Sequence, residues 1–166
     1  TKKSLAQAAA TIADVKNILT SSNLAKLKIS SKDRSISPEQ EAILIKNLKP
    51  WTEANLMLNK TVNISAEMND FEAVEYASKI KNVLNKCGFE ANLSTRMSLF
   101  KGEIPTGLEV FTGGTMNFSN SNPPESLVAI INAFDVAGIK IQRIGIYANV
   151  PANGIVTIKV WHKPEE

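Results

Sequence analysis

Thr61–Ser98, TVNISAEMNDFEAVEYASKIKNVLNKCGFEANLSTRMS, and Gly107–Tyr147, GLEVFTGGTMNFSNSNPPESLVAIINAFDVAGIKIQRIGIY, are the two stretches that decide the architecture. Each reads as a strand, a helix closed by glycine, and a second strand. In the first, Val62 and Ile64 alternate with Thr61, Asn63 and Ser65, the period of a strand with one buried face. Asn69 or Asp70 caps a helix in which Phe71, Val74, Ala77, Ile80, Val83 and Leu84 face inward while Lys79, Lys81, Asn82 and Lys86 face out. Gly88 supplies the left-handed residue that ends it, and a strand over roughly Phe89 to Ser98 follows. In the second stretch Leu108 and Val110 begin a strand that Gly113 and Gly114 close, and a polar loop follows from Asn117 to Pro123. Pro124 opens a helix with Leu127, Ile130, Ile131 and Phe134 on its apolar stripe, and Gly138 stops it. Ile139 and Ile141 lead the next strand, which continues in altered phase through Ile144 and Ile146. Val156, Ile158 and Val160 alternate in a last strand running from Gly154 to Trp161.

This patterning chooses between two architectures. Parallel strands covered by helices on both faces read as continuous apolar runs, whereas these strands carry a polar residue at every second position. The second and third strands are joined by a short non-helical loop around Lys101 to Thr106, which fits a hairpin better than a parallel crossover. The expectation is an α+β fold, a ferredoxin-like βαββαβ sandwich with both helices on one face, an extra C-terminal strand, and N-terminal helices before it. The alternative is an α/β flavodoxin-like sheet.

Upstream, Leu5, Ala8, Ile12, Val15 and Leu19 recur at steps of three and four, the spacing of a short coiled-coil seam. The reading is an N-terminal helix over residues 1–30, serving either as an oligomerising stalk or as a helix packed on its own domain. A basic linker over 31–37 follows, and the α+β domain spans 38–166. Lys26, Lys28, Lys32 and Arg34, opposed only by Asp33, make a solvated connection or a patch that meets anionic lipid headgroups. Ser37-Pro38-Glu39-Gln40 is a helix start: capping serine, proline in the first turn, an acid at the positive end of the dipole, and glutamine three residues after the cap. Ala42, Ile45 and Leu48, with Ile43 or Leu44, form that helix's apolar face, Pro50 limits it, and Trp51 covers the core edge.

Composition sets bounds. The 166 residues suit one domain with an appendage. Hydrophobic content of 43% and charged content of 21% are ordinary for a globular chain. The net charge of +3 with a pI near 9.0 permits weak attraction to anionic surfaces. Cys87 is the single cysteine, which excludes an intramolecular disulfide and a thiolate metal cage; its place before Gly88 marks a buried structural thiol. No apolar run approaches the roughly 20 residues that span a bilayer. The chain opens on Thr1 rather than Met, which reads as an excised fragment with an upstream membrane anchor as the expectation.

The residues that carry chemistry are sparse. His162 is the only histidine and has no nucleophile or orienting acid near it in sequence. Asp70, Glu72 and Glu75 lie where acids complement a helix dipole. No HExxH, CxxC or EF-hand loop is present, so neither a metal nor a cofactor is expected and the chain reads as non-enzymatic. The loop from Gly113 to Pro124 is the candidate ligand loop, with Gly113, Gly114, Thr115, Asn117 and Asn120 as its contact residues. RNA-binding sheets display aromatics among basic residues; here only Phe111 stands out, so nucleic acid is not an expected partner. Asn59-Lys60-Thr61, Asn63-Ile64-Ser65, Asn92-Leu93-Ser94 and Asn117-Phe118-Ser119 match the glycosylation pattern, as chance matches in an asparagine-rich chain.

From Ser37 to the C-terminus, Ser37-Pro38-Glu39-Gln40, Glu72-Ala73-Val74-Glu75-Tyr76-Ala77, Gly88-Phe89, Gly107-Leu108 and Ala137-Gly138-Ile139 together resemble a family of uncharacterised C-terminal α/β domains of bacterial membrane-anchored proteins. The layout also looks like small envelope modules that bind cell-wall glycans, without their loop signatures. The resemblance implies a non-enzymatic interaction or sensory module, the soluble part of a bacterial membrane-associated protein, with self-association through the N-terminal helix or a protein partner. A small-ligand or nucleotide domain using the Gly113 to Pro124 loop is the alternative.

Overall fold

The computed structural model describes residues 34–57, 59–98, 105–113, 123–147 and 153–164, all within the compact unit Arg34–Glu166. The seam positions Leu5, Ala8, Ile12, Val15 and Leu19, and Lys26, Lys28 and Lys32, lie outside the described residues. The described elements are α1 (Pro38–Glu53), β1 (Thr61–Glu67), α2 (Phe71–Lys86), β2 (Glu90–Arg96), β3 (Leu108–Gly113), α3 (Glu125–Val136), β4 (Arg143–Tyr147) and β5 (Val156–Val160).

Local signals account for most boundaries. Ser37 accepts from the Gln40 amide while the Gln40 side chain accepts from the Ser37 amide, closing a capping box around Pro38. Pro50 does not end α1, which runs on to Glu53; proline's missing donor removes one bond of the ladder, and the stop comes at Asn55, in the left-handed region at φ 55°. Asp70 caps α2 by accepting from the Ala73 amide. Both later helices end alike: Phe89 N–H donates to Leu84 O and Ile139 N–H to Phe134 O, around Gly88 and Gly138 at φ +89° and +69°.

The five strands form one mixed sheet in the order β2-β1-β5-β3-β4. β1 pairs parallel with β2, β3 parallel with β4, and β5 lies between the halves, parallel to β1 and antiparallel to β3. The fold is therefore an α+β arrangement of one five-stranded sheet and, among the described residues, three helices. The ferredoxin-like order is not the order of this sheet. A split unit places another strand between β1 and β2, whereas here they are direct neighbours, and β2 and β3 form no hairpin because β1 and β5 separate them. The doubly covered flavodoxin-like sheet is not formed either, since β3 and β5 are antiparallel. The two β-α-β stretches do form two equivalent parallel units, related by a two-fold axis normal to the sheet near β5. Right-handed crossovers then place α2 and α3 on the same face.

The core lies between that face and the helices. Val62, Ile64, Val110, Val156, Ile158 and Val160 meet Ile80, Leu84, Ile130 and Phe134 in one cluster, and Leu44 and Leu48 of α1 close it across α2 and α3. Two inward assignments change. Ala42 is exposed, because the buried stripe of α1 runs through Leu44, Leu48 and Thr52. Phe71 is 89% exposed, because the face of α2 centred on Ala73, Tyr76, Ala77 and Ile80 turns the first residue outward. β4 begins only at Arg143, after the apolar lead of Ile139 and Ile141.

Candidate functional site

Side chains alternate across a strand, so every second residue of the sheet points away from the helices. Phe111 and Trp161 are buried yet stand outside the helix-side cluster. Among the described residues no helix lies on their face. Strand register arranges this face in rows. Asn92, Asn63, Thr157, Phe111 and Gly145 lie in one row, and Ser94, Ser65, Lys159, Glu109 and Arg143 in the next.

The centre is a charged and aromatic network. Glu109, 4% exposed, accepts from the Tyr147 hydroxyl and from Trp161 Nε1 at 3.2 Å, and pairs with Lys159 Nζ at 3.7 Å. The ammonium of Lys159 lies 4.6 Å from the Phe111 ring centroid, 5.6 Å from that of Trp161 and 5.9 Å from that of Tyr147. The negative ring faces and the carboxylate surround this cation. Phe111 and Tyr147 meet edge to face at 4.8 Å. Donation to Glu109 holds the Tyr147 phenol above its ordinary pKa, with burial and the negative charge of Glu109 adding to it. Gly145 is small because Tyr147 folds back over it: a Cβ there would stand 3.3 Å from the ring.

Beside this network lies a cleft of about 340 Å³ over β1 and β2. Asn63, Ser65, Asn92, Ser94, Arg96, Thr157 and Lys159 supply its polar lining, Phe111 borders it, and among the described residues no carboxylate does. Asn63 pairs with Asn92 and Ser65 with Ser94, so the two Asn-x-Ser motifs lie side by side in register. Ser65 is 9% exposed, and its buried Oγ has no hydrogen-bond partner among the described residues. The Arg96 guanidinium stacks 5.3 Å from the Trp161 ring and makes no ion pair among the described residues. The neighbouring acid, Glu67, turns to Ser98 instead, accepting from its hydroxyl at 2.6 Å and its amide at 3.1 Å.

A larger hollow of about 520 Å³ lies near the end of α3, bordered by Arg34, Gln40, Tyr76, Lys140, Gln142 and Lys163 among others. Its wall is mostly structural. Arg34 pairs with Glu72 at 2.6 Å and donates to the Trp161 carbonyl at 2.7 Å, while its buried Nη1 has no hydrogen-bond partner among the described residues; the guanidinium lies 5.2 Å from the ring of Tyr76, whose phenol burial pushes up to about 12.

The residues singled out from sequence are dispersed. Gly113 ends β3 opposite Tyr147; Gly114, Thr115, Asn117 and Asn120 lie outside the described residues. His162 pairs through Nδ1 with Asp70 Oδ2, an acid far from it in sequence, at 2.7 Å. Glu72 goes to Arg34 and Glu75 to Lys79, so the three acids share no site. Among the described residues no cluster of three or more histidine, cysteine, aspartate or glutamate side chains is placed to hold a metal. Cys87 is buried, and desolvation, with a smaller contribution from Glu41, raises its thiol pKa to about 11.

Sequence reasoning expected both helices on one face but missed the site on the other, because its members come from five strands. The signal that could have found it was the repeated Asn-x-Ser. Protein-family models, curated proteins and solved structures yield no significant match to the chain.

Proposed function

We propose that this chain is a non-enzymatic binding module whose recognition surface is the helix-free face of its sheet. The buried, unpartnered Ser65 hydroxyl beside the cleft carries this reading. Interiors satisfy their polar groups, and an orphaned hydroxyl at a polar opening is a place for a guest to complete. The unpaired Arg96 supports the same surface. Catalysis is not part of the reading: His162 and Asp70 satisfy one another at the end of β5, and the charged network around Glu109 is internally paired.

The small-ligand alternative converges on this face, because β3 carries Phe111 into the cleft border and ends at Gly113, where the candidate loop departs. The resemblance of the Ser37-to-C-terminus layout supports placing the module in a bacterial membrane-associated protein. The heptad spacing of residues 5–19 supports self-association; sedimentation of the full chain against residues 31–166 is expected to show the larger species only when the N-terminal segment is present.

The deciding experiment is amide chemical-shift mapping of the isotope-labelled chain against a mixed library of sugars, nucleotides, amino acids and peptides. Binding compounds are expected to shift amides of β1, β2 and β5, and Arg96→Glu is expected to abolish those shifts. Ligands that map only to the helix layer, or that are chemically turned over, overturn the reading.

A further inference from the structure

We infer that the cleft over Ser65 takes an anionic sugar, with the acidic group on Arg96 and the hydroxyls on the paired Asn and Ser rows. The inference rests on the reading of the helix-free face as the binding surface and names the chemistry of its ligand.

The charge comes first. Arg96 and Lys159 line the cleft, and among the described residues no carboxylate does. Lys159 is already held by Glu109 and three rings, so among the described residues the open cation of the cleft is Arg96. Its guanidinium lies 5.3 Å from the Trp161 ring centroid, and its planar fork of N–H donors suits two oxygens of a carboxylate or phosphate.

The remainder of the lining selects what bears that anion. Asn63 and Asn92 offer carboxamides that both donate and accept, Ser65 and Thr157 offer hydroxyls that do the same, and Ser94, which donates to the Ile64 carbonyl at 3.4 Å, offers its oxygen as an acceptor. Sugar hydroxyls need that dual complement, whereas an aliphatic acid would leave it unused. A nucleobase needs a free aromatic face for stacking, and the Phe111 ring is buried with the Lys159 ammonium against it. A peptide adding to a sheet needs a strand edge, and the cleft lies over the interior strands β1 and β5 as well as β2. The cleft volume of about 340 Å³ sits at the small end of ligand sites.

The test titrates the labelled full chain with glucuronate and glucose 6-phosphate, with glucose, acetate and inorganic phosphate as comparisons. At least one of the two anionic sugars is expected to shift the β1 and β2 amides, with an affinity at least roughly tenfold above glucose and above the matching free anion. Preference for glucuronate assigns the fork to a carboxylate, and preference for glucose 6-phosphate assigns it to a phosphate. Arg96→Gln is expected to weaken binding by roughly tenfold or more, and Ser65→Ala, which removes an unsatisfied buried hydroxyl, to weaken it without lowering the thermal midpoint. Lys46→Gln, on the exposed side of α1, removes the same charge and is expected to change nothing. Absence of binding by both anionic sugars, equal affinity for glucose, or undiminished binding by both cleft variants overturns the inference. Library ligands of another chemistry shifting the same amides would remove the sugar while leaving the binding face intact.

Discussion

At the scale of single residues, the joint between α1 and the end of α2 depends on a missing Cβ. The Thr52 hydroxyl lies between the carbonyl oxygens of Lys49 and Cys87 and donates to the latter. Gly88, at φ +89°, lies against it, and a Cβ there would approach Thr52 Oγ1 to 2.9 Å. Gly88→Ala combines left-handed strain with that clash, so a loss of about 1–3 kcal/mol is expected in urea unfolding; an unchanged midpoint would contradict it. Asp70 carries a pH dependence. Burial opposes its ionisation, but the Ala73 amide, the His162 ring, and the charges of His162 and Arg34 outweigh it and hold the carboxyl below its ordinary value. A depressed folded-state pKa contributes stability that is complete above the unfolded value of about 3.9 and is lost as pH falls through the folded one. Asp70→Asn preserves capping ability, so the wild-type advantage in urea midpoint is expected at neutral pH and is expected to vanish in strong acid. A gap that persists there would assign the effect to packing.

At the scale of elements, helix ends were legible in the sequence and strand neighbours were not. Capping is local: Ser37, Asp70, Gly88 and Gly138 each act within a few residues, and each marks the end it appeared to mark. The alternation of Val62 and Ile64 with Asn63 and Ser65 correctly located the covered face. Alternation reports how many faces are covered, and a parallel β-α-β unit with helices on one side alternates as an antiparallel one does. The binding cleft was illegible for a related reason, since Arg96, Lys159 and Ser65 converge only once the register is known. α1 offers the cleanest elementary test. Its capping box also reaches across the fold, because Gln40 Nε2 donates to the Ala137 carbonyl at 3.1 Å, at the end of α3. Ser37→Ala is expected to cost about 0.5–2 kcal/mol, measured as a lower urea midpoint with an unchanged slope. A change in slope would instead indicate that α1 detaches separately.

At the scale of the whole molecule, the two β-α-β units leave one position that symmetry cannot fill. An axis normal to the sheet reverses strand direction, so a strand lying on it must be parallel to one half and antiparallel to the other. β5 occupies that position, parallel to β1 and antiparallel to β3. Among the described strands it alone is hydrogen-bonded to both halves, and it comes from the last part of the chain, so the sheet closes only when residues far apart in sequence meet. Val156, Ile158 and Val160 are each at most 1% exposed. At roughly 1.5–3 kcal/mol for each buried aliphatic side chain, their combined burial is comparable to the roughly 5–15 kcal/mol that stabilises an ordinary domain. Removing residues 155–166 also opens the inner edges of β1 and β3. The shortened chain is therefore expected to lose amide dispersion and the cooperative urea transition altogether, rather than to unfold at a slightly lower midpoint. A cooperative transition in the 1–154 chain would mean that one β-α-β unit, packed by α1, is a domain in itself, and that the central strand only joins two structures already formed.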